Sequence, residues 1–306
     1  MCRTPPRLTA DGAIFERMEL AMPELIYLNG KVLPLADATI GVEDRGFQFA
    51  DGVYEVIRIY DGQAFTLTEH LDRLERSAAG IEIKPPLSTD ELASAIRGVI
   101  DQSGTLHGMV YVQLTRGCCA RNHVWDDQTP PTLLFYTREL PQSVPVEDAL
   151  GVKLITRQDD RWAHCWIKSI ALLPNVLAKN VAHRAGADEA VFVHNGMVTE
   201  CCSTNIFAVV GNKLITHPVG SKVLPGITRA VLFQLAGSAE VEMIERPLAE
   251  QEAAGADELF ITSTTREINW VSHWNDRQVA SGPGPVTRRL HKALRARIAR
   301  DTRPAA

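Results

Sequence analysis

The chain has 306 residues, 45% of them hydrophobic and 23% charged, an ordinary composition for a soluble globular protein and long enough for two domains with separate cores. A net charge of −5 brings no basic excess, which argues against nucleic acid or an anionic membrane as partner. No apolar run approaches the roughly 20 residues that span a bilayer, and residues 1–21 lack a signal peptide's apolar centre; they read as a disordered leader, with Met18 or Met22 as an alternative start, and the protein as cytoplasmic.

The first predicted element is a hairpin, in which residues 26–28 and 32–33 flank the tight-turn dipeptide Asn29-Gly30. A β-rich run over 53–60 turns at Asp61-Gly62 into a second over 64–67, and the two-residue period places Tyr54, Val56, Arg58 and Tyr60 on one face. Helices are predicted over 70–79 and from Ser88, where Ser88 and Glu91 have capping-box spacing. Strands over 109–114 and 132–136 close a first unit, residues 22–140, and the Pro-bearing segment 141–145 reads as a linker. The second unit, residues 146–306, opens with a strand over 152–155 and a helix over 175–184 with Pro174 at its start. Short strands follow at 190–193, 197–199, 206–210 and 214–216, punctuated by Asn195-Gly196 and Gly211-Asn212. A helix from Gly226 to about 235, a strand over 259–262 and a basic helix over 286–299 complete the chain. This irregular alternation, without a βαβ rhythm or a repeat, predicts two α+β domains rather than a doubly wound sheet.

Three segments carry candidate chemistry. Lys168 lies between Cys165-Trp166-Ile167 and Ile170-Ala171-Leu172-Leu173. An amine in apolar surroundings gives up its proton more readily and becomes nucleophilic; taken alone, the pattern also fits a surface lysine whose stem covers apolar surface. The segment Leu224-Pro225-Gly226-Ile227-Thr228-Arg229 opens a helix whose first N–H groups suit a phosphate, although a simple surface helix can start the same way. The hydroxyls of Thr262-Ser263-Thr264-Thr265 can donate to phosphate oxygens or face solvent as a loop. The six cysteines, Cys2, Cys118, Cys119, Cys165, Cys201 and Cys202, include two adjacent pairs that do not form a disulfide framework. Without C-x-x-C spacing they read as small buried thiols rather than a soft metal site, and no metal is expected.

Taken as one pattern, Glu200, Asn205, Phe207, Thr216, Leu224, Gly226, Ile227 and Arg229 resemble the signature of class IV aminotransferases, and the resemblance runs from about residue 27 to 297. Within that family, Asp44-Arg45-Gly46-Phe47-Gln48-Phe49, Asp51-Gly52-Val53-Tyr54-Glu55-Val56, Glu69-His70-Leu71-Asp72-Arg73-Leu74 and the Arg121-Asn122-His123 triplet resemble the D-amino acid aminotransferase branch. The resemblance implies an α+β, two-domain pyridoxal-phosphate fold of type IV with a barrel-like sheet in the second domain, a homodimer, and pyridoxal 5′-phosphate as cofactor. It implies that Lys168 carries the cofactor as a Schiff base, and that Arg73, the backbone N–H groups of Ile227 and Thr228, and Thr264 hold its phosphate. Glu200 then faces the pyridine nitrogen, and Leu224 packs against the ring. Tyr54, Arg121 and His123 would hold the substrate carboxylate, the Arg–His pair reaching in from the second subunit. The activity implied is ping-pong transfer of an amino group between a D-amino acid such as D-alanine and a 2-oxo acid. Alternatives are an (R)-selective amine transaminase or a dual-specificity enzyme, then an aminodeoxychorismate lyase, then a non-catalytic scaffold; a branched-chain aminotransferase fits the Arg-x-His pair less well. Cys118-Cys119-Ala120, Trp166 and Cys201-Cys202 depart from the branch pattern and bear on substrate range.

Overall fold

The computed structural model describes residues 25–303; the expected leader, 1–21, lies outside them. The opening hairpin forms as its turn chemistry dictates: β1 (Leu25–Leu28) and β2 (Lys31–Pro34) pair antiparallel. Asn29 and Gly30 take φ of 47° and 89° at the turn, the positive values that a two-residue hairpin loop needs. A short helix α1 (Arg45–Phe49), capped by the Asp44 side chain, leads into β3 (Gly52–Tyr60) and β4 (Gln63–Ala64). The strand expected over 64–67 stops at Ala64, because Thr66 turns at φ 52° and Leu67 already begins α2 (Leu67–Gly80). Helix α3 (Thr89–Ser103) carries the predicted capping box between Ser88 and Glu91. With β5 (Gly108–Thr115) and β6 (Thr132–Glu139), these strands form an antiparallel six-stranded sheet in the order β2-β1-β6-β5-β3-β4.

The second sheet is drawn from β7 (Val152–Gln158), β8 (Glu189–His194), β9 (Met197–Cys201), β10 (Asn205–Val210), β11 (Lys213–Thr216), β12 (Glu242–Glu245), β13 (Leu248–Ala249), β14 (Glu258–Ser263), β15 (Glu267–Trp274) and β16 (Arg277–Gln278). Its order is β12-β11-β10-β14-β15-β7-β8-β9-β13, with β16 against β15. Helix α4 (Leu173–Arg184) connects β7 to β8, which pair in parallel. Two βαβ units are therefore present where the sequence suggested none, since the helix over Ile227–Leu235 likewise connects β11 to β12, which pair in parallel; the 14 residues between β7 and α4 hide the rhythm of the first. Helices α5 (Ile227–Leu235), α6 (Glu250–Ala254) and α7 (Pro285–Asp301) complete this half. Among the described residues no helix is long and apolar enough to cross a membrane.

The two halves share their interiors. Ile167, from the second half, packs with Val53, Leu74 and Phe135 of the first, while Tyr60 and Phe65 pack with Phe207, Leu232 and Leu290 of the second. Each half removes apolar surface of the other from water, and the site lies along this seam.

Candidate active site

A cavity of about 600 Å³ opens between the two sheets. Tyr54, Arg73, Lys168, Glu200, Leu224, Ile227, Thr228 and Thr264 all line it, so eight of the ten residues singled out in the sequence meet in one place. Arg121 and His123 do not line it. They sit on an exposed loop between β5 and β6, where the Arg121 guanidinium lies 4.7 Å from the centroid of the Phe49 ring.

Lys168 is placed by backbone pairing to the first sheet. β4 pairs with the far end of β3, which leaves the strand's start with open hydrogen-bonding groups. The chain around Lys168 fills that edge: Tyr54 N donates to the Lys168 carbonyl at 2.9 Å and Ile170 N to the Gly52 carbonyl at 3.0 Å. Lys168 N donates to Ser77 Oγ of α2 at 3.1 Å. With its backbone held on both sides, Lys168 Nζ projects over the Tyr54 ring, 4.1 Å from its centroid. The apolar flank is only partly buried: Cys165 and Ile167 are, whereas Trp166 and Leu173 are exposed. Burial pushes the Cys165 thiol up to about 11, so this cavity wall is a neutral thiol at pH 7. Lys179 and Lys222 are engaged elsewhere, with Glu189 and with the Arg161 carbonyl.

At one end of the cavity Arg73, on α2, is gripped by Glu55 of β3 through Nε at 2.6 Å and Nη2 at 2.8 Å, and Nη1 donates to the Pro225 carbonyl at 3.0 Å. His70 Nδ1 sits 2.7 Å from the same Glu55 carboxylate. Burial alone would raise the Glu55 carboxyl, but the Arg73 guanidinium and His70 hold it well below the ordinary carboxylate range. Burial holds His70 below its ordinary value, against the pull of Glu55. Of the five N–H donors of a guanidinium, Arg73 gives three to Glu55 and Pro225 and its Nη2 also lies 3.5 Å from His70 Nδ1, which leaves the second N–H of Nη1 for an anion. Beside it α5 starts at Gly226 with no side-chain cap among the described residues, which leaves its first N–H groups for a ligand. Gly226 is required there because a Cβ would stand 2.0 Å from Asn205 Oδ1. Thr204 Oγ1 and Thr262 Oγ1, both buried and on cavity-lining residues, have no hydrogen-bond partner among the described residues. A cation, free N–H groups and orphaned hydroxyls together fit a phosphate.

At the other end Glu200, near the end of β9, is buried. Its Oε1 accepts from Arg161 Nη1 at 2.5 Å, and its Oε2 from Asn205 Nδ2 and Leu224 N, each at 3.1 Å. Arg161 is held in turn by Asp159, through Nε at 3.0 Å and Nη2 at 2.9 Å. Burial pushes the Glu200 carboxyl up, opposed by Arg161 and the Leu224 N–H. Arg161, which burial alone would lower, is held raised by Asp159 and Glu200. Asn205 also donates to the Leu224 carbonyl at 3.0 Å, so one side chain ties the Leu224 wall to the buried carboxylate.

Sequence reasoning missed the roles of Glu55, His70, Asp159 and Arg161. Glu55 and His70 stand inside the segments that carry the family resemblance, yet nothing local marks them as partners of Arg73; only the packing of α2 on β3 joins the three. Among the described residues no cluster of His, Cys, Asp and Glu could hold a metal ion, and the described cysteines are free thiols.

The amino-transferase class IV family profile matches residues 52–274. The chain is 40% identical to the D-alanine aminotransferase of Bacillus licheniformis over 278 residues, covering 90% of this chain and 98% of that one. The branched-chain amino acid aminotransferase from Escherichia coli superposes with a TM-score of 0.83 at 26% identity, covering 90% of this chain and 94% of that one. A T.th. branched-chain amino acid aminotransferase with pyridoxamine 5′-phosphate does so with a TM-score of 0.84 at 27% identity, covering 92% and 96%.

Proposed function

The chain belongs to the class IV aminotransferases, and from that premise we propose that it is a D-amino acid aminotransferase, moving the amino group of a D-alanine-like donor to a 2-oxo acid with pyridoxal 5′-phosphate as cofactor. The observation that carries this reading is the meeting of Lys168, Arg73, Glu200 and the open start of α5 in one cavity. The residues fit the cofactor end to end: a phosphate cradle with orphaned hydroxyls, a lysine amine over the Tyr54 ring, and a buried carboxylate beyond.

When bound, the cofactor supplies a carbonyl that joins reversibly to amines and a ring that takes up the electron pair of the broken Cα–H bond. Lys168 would hold it covalently, and its free amine would be the base that moves the proton at the substrate Cα. Arg73, Ile227 N, Thr228 N and Thr264 hold the phosphate. Glu200, kept in place by Arg161 and Asn205, favours the protonated ring nitrogen, and Leu224 backs the ring. Tyr54 and the partner subunit's loop, bearing Arg121 and His123, hold the substrate carboxylate.

That loop requires a homodimer. Supporting one, Val42, Phe47 and Val124 near the loop and Leu173, Val176 and Leu177 at α4 are exposed apolar side chains. The division into units at 22–140 and 146–306 is supported by the separate origins of the two sheets, and a cytoplasmic setting by the free thiols. The test is pyruvate formation from D-alanine and 2-oxoglutarate by the purified protein with added cofactor. Turnover with D-alanine and little with L-alanine is expected; preference for L-alanine, or none for either, would refute the reading.

A further inference from the structure

The motif Asp44-Arg45-Gly46-Phe47-Gln48-Phe49 has no part in the cavity, yet it builds the ground under Arg121 and His123. The Phe49 ring, half-buried at the end of α1, has two guanidiniums against it, Arg45 at 4.8 Å and Arg121 at 4.7 Å from its centroid. The His123 ring stands 5.5 Å away, tilted by 45°. Arg45 is buried and reaches under the same loop: Nη1 donates to the Asn122 carbonyl at 2.5 Å and Nη2 to the His123 carbonyl at 3.4 Å. Asp51 fixes Arg45 through Nε at 2.8 Å and, through the same oxygen, Arg116 Nε at 2.8 Å. Arg116 spreads 3.9 Å over the Trp125 ring, farther along the loop. At the loop's entry Gly117 has φ 97°, and a Cβ there would stand 2.0 Å from the Pro130 carbonyl oxygen. The loop is thus pinned at its backbone and at both aromatic contacts while Arg121 itself stays exposed.

We propose that Phe49 is a specificity-determining positioning residue. Its face holds the Arg121 guanidinium and the His123 ring in the pose that takes a substrate carboxylate, above a backbone fixed by Asp51 and Arg45. An aromatic face attracts a guanidinium yet leaves its in-plane N–H donors free for a bidentate partner, so the residue tunes carboxylate binding and not the chemistry at Cα. This inference rests on the assignment of Arg121 and His123 to the substrate carboxylate.

The test compares Phe49→Leu, Phe49→Tyr, Arg121→Ala and the Phe49→Leu/Arg121→Ala double variant of the holoenzyme. Phe49→Leu keeps apolar bulk but removes the ring. It is expected to raise KM for D-alanine and for pyruvate by about tenfold, with kcat within about twofold of wild type and the cofactor absorbance unchanged. Phe49→Tyr is expected to restore KM, and Phe49→Leu to add nothing in the Arg121→Ala background. A wild-type KM in Phe49→Leu, or an equal further loss in the double variant, overturns the inference while leaving the carboxylate assignment intact if Arg121→Ala alone raises KM. A wild-type KM in Arg121→Ala sinks the assignment and the inference with it.

Discussion

Arg161 is the residue on which the buried end of the site turns. Its guanidinium is nearly enclosed and donates to Asp159, Glu200 and the Lys222 carbonyl. Arg161→Met retains length and apolar bulk but leaves two carboxylates facing each other out of water. Removing one partner of a buried ion pair typically costs about 3–5 kcal/mol. For a chain of this size that corresponds to a melting temperature lower by roughly 6–20 °C, at about 2–4 °C per kcal/mol. Burial already pushes the Glu200 carboxyl up, with Arg161 opposing it, so without the guanidinium the carboxyl moves farther up and its negative charge is held less firmly. The variant is then expected to lose stability and turnover together, whereas Arg161→Lys, which keeps a charge but not the forked contact, retains part of both. The assay is thermal unfolding by circular dichroism alongside kcat of the cofactor-saturated enzyme. A stability loss below about 1 kcal/mol, or wild-type kcat in a clearly destabilised Arg161→Met protein, refutes the reasoning.

Other consequences follow from neighbouring parts of the site. Glu200→Gln keeps the shape and the Asn205 contact but not the charge, so kcat is expected to fall while Arg73 and α5 retain the cofactor; unchanged kcat at confirmed occupancy would contradict the role given to Glu200. Arg121→Ala is expected to cost about 1.5–3 kcal/mol with D-amino acids, roughly 10- to 150-fold in kcat/KM, and little in a single turnover of (R)-1-phenylethylamine, which has no carboxylate; equal losses would place Arg121 in the fold or the dimer. The Glu55–Arg73–His70 cluster makes stability depend on pH. Glu55 is held low when folded, so its contribution is present above the unfolded carboxylate value of about 4.3 and is lost as pH falls below it. His70, kept neutral by burial, adds a loss that begins as pH falls through about 6.5, because the unfolded chain binds a proton there that the folded chain does not. Urea midpoints should therefore fall from pH 7 to 4 in wild type and fall less in His70→Asn; parallel curves for the two would rule out the His70 part.

Where local chemistry decides the backbone, the fold was legible. The Asn29-Gly30 turn, the Ser88–Glu91 capping box and Pro174 near the start of α4 each appear where the sequence places them. The strand expected over 64–67 failed because Ala64, Phe65 and Leu67 are equally at home in a strand or at a helix start, and the left-handed turn at Thr66 is a tertiary choice. β15 went unread although its eight residues pair on both sides; Glu267, Asn269 and Ser272 interrupt the apolar pattern, and their company is supplied only by the folded chain, as when Glu267 accepts from Tyr60 and Arg295. The site was legible as residue types in a spaced pattern. Its supporting pairs were not, since Glu55–Arg73 spans 18 residues and Arg161–Glu200 spans 39, and no local period connects such positions.

The central claim is that Lys168 is the amine that holds the cofactor. Reduction of the holoenzyme with borohydride, followed by proteolysis and mass spectrometry, reads that directly, because the reduced link survives digestion. The phosphopyridoxyl mass is expected on the peptide bearing Lys168, with the visible absorbance lost and no such label in a Lys168→Ala protein. A label on Lys179 or Lys222, or a Lys168→Ala protein that still labels and turns over D-alanine, would contradict the account.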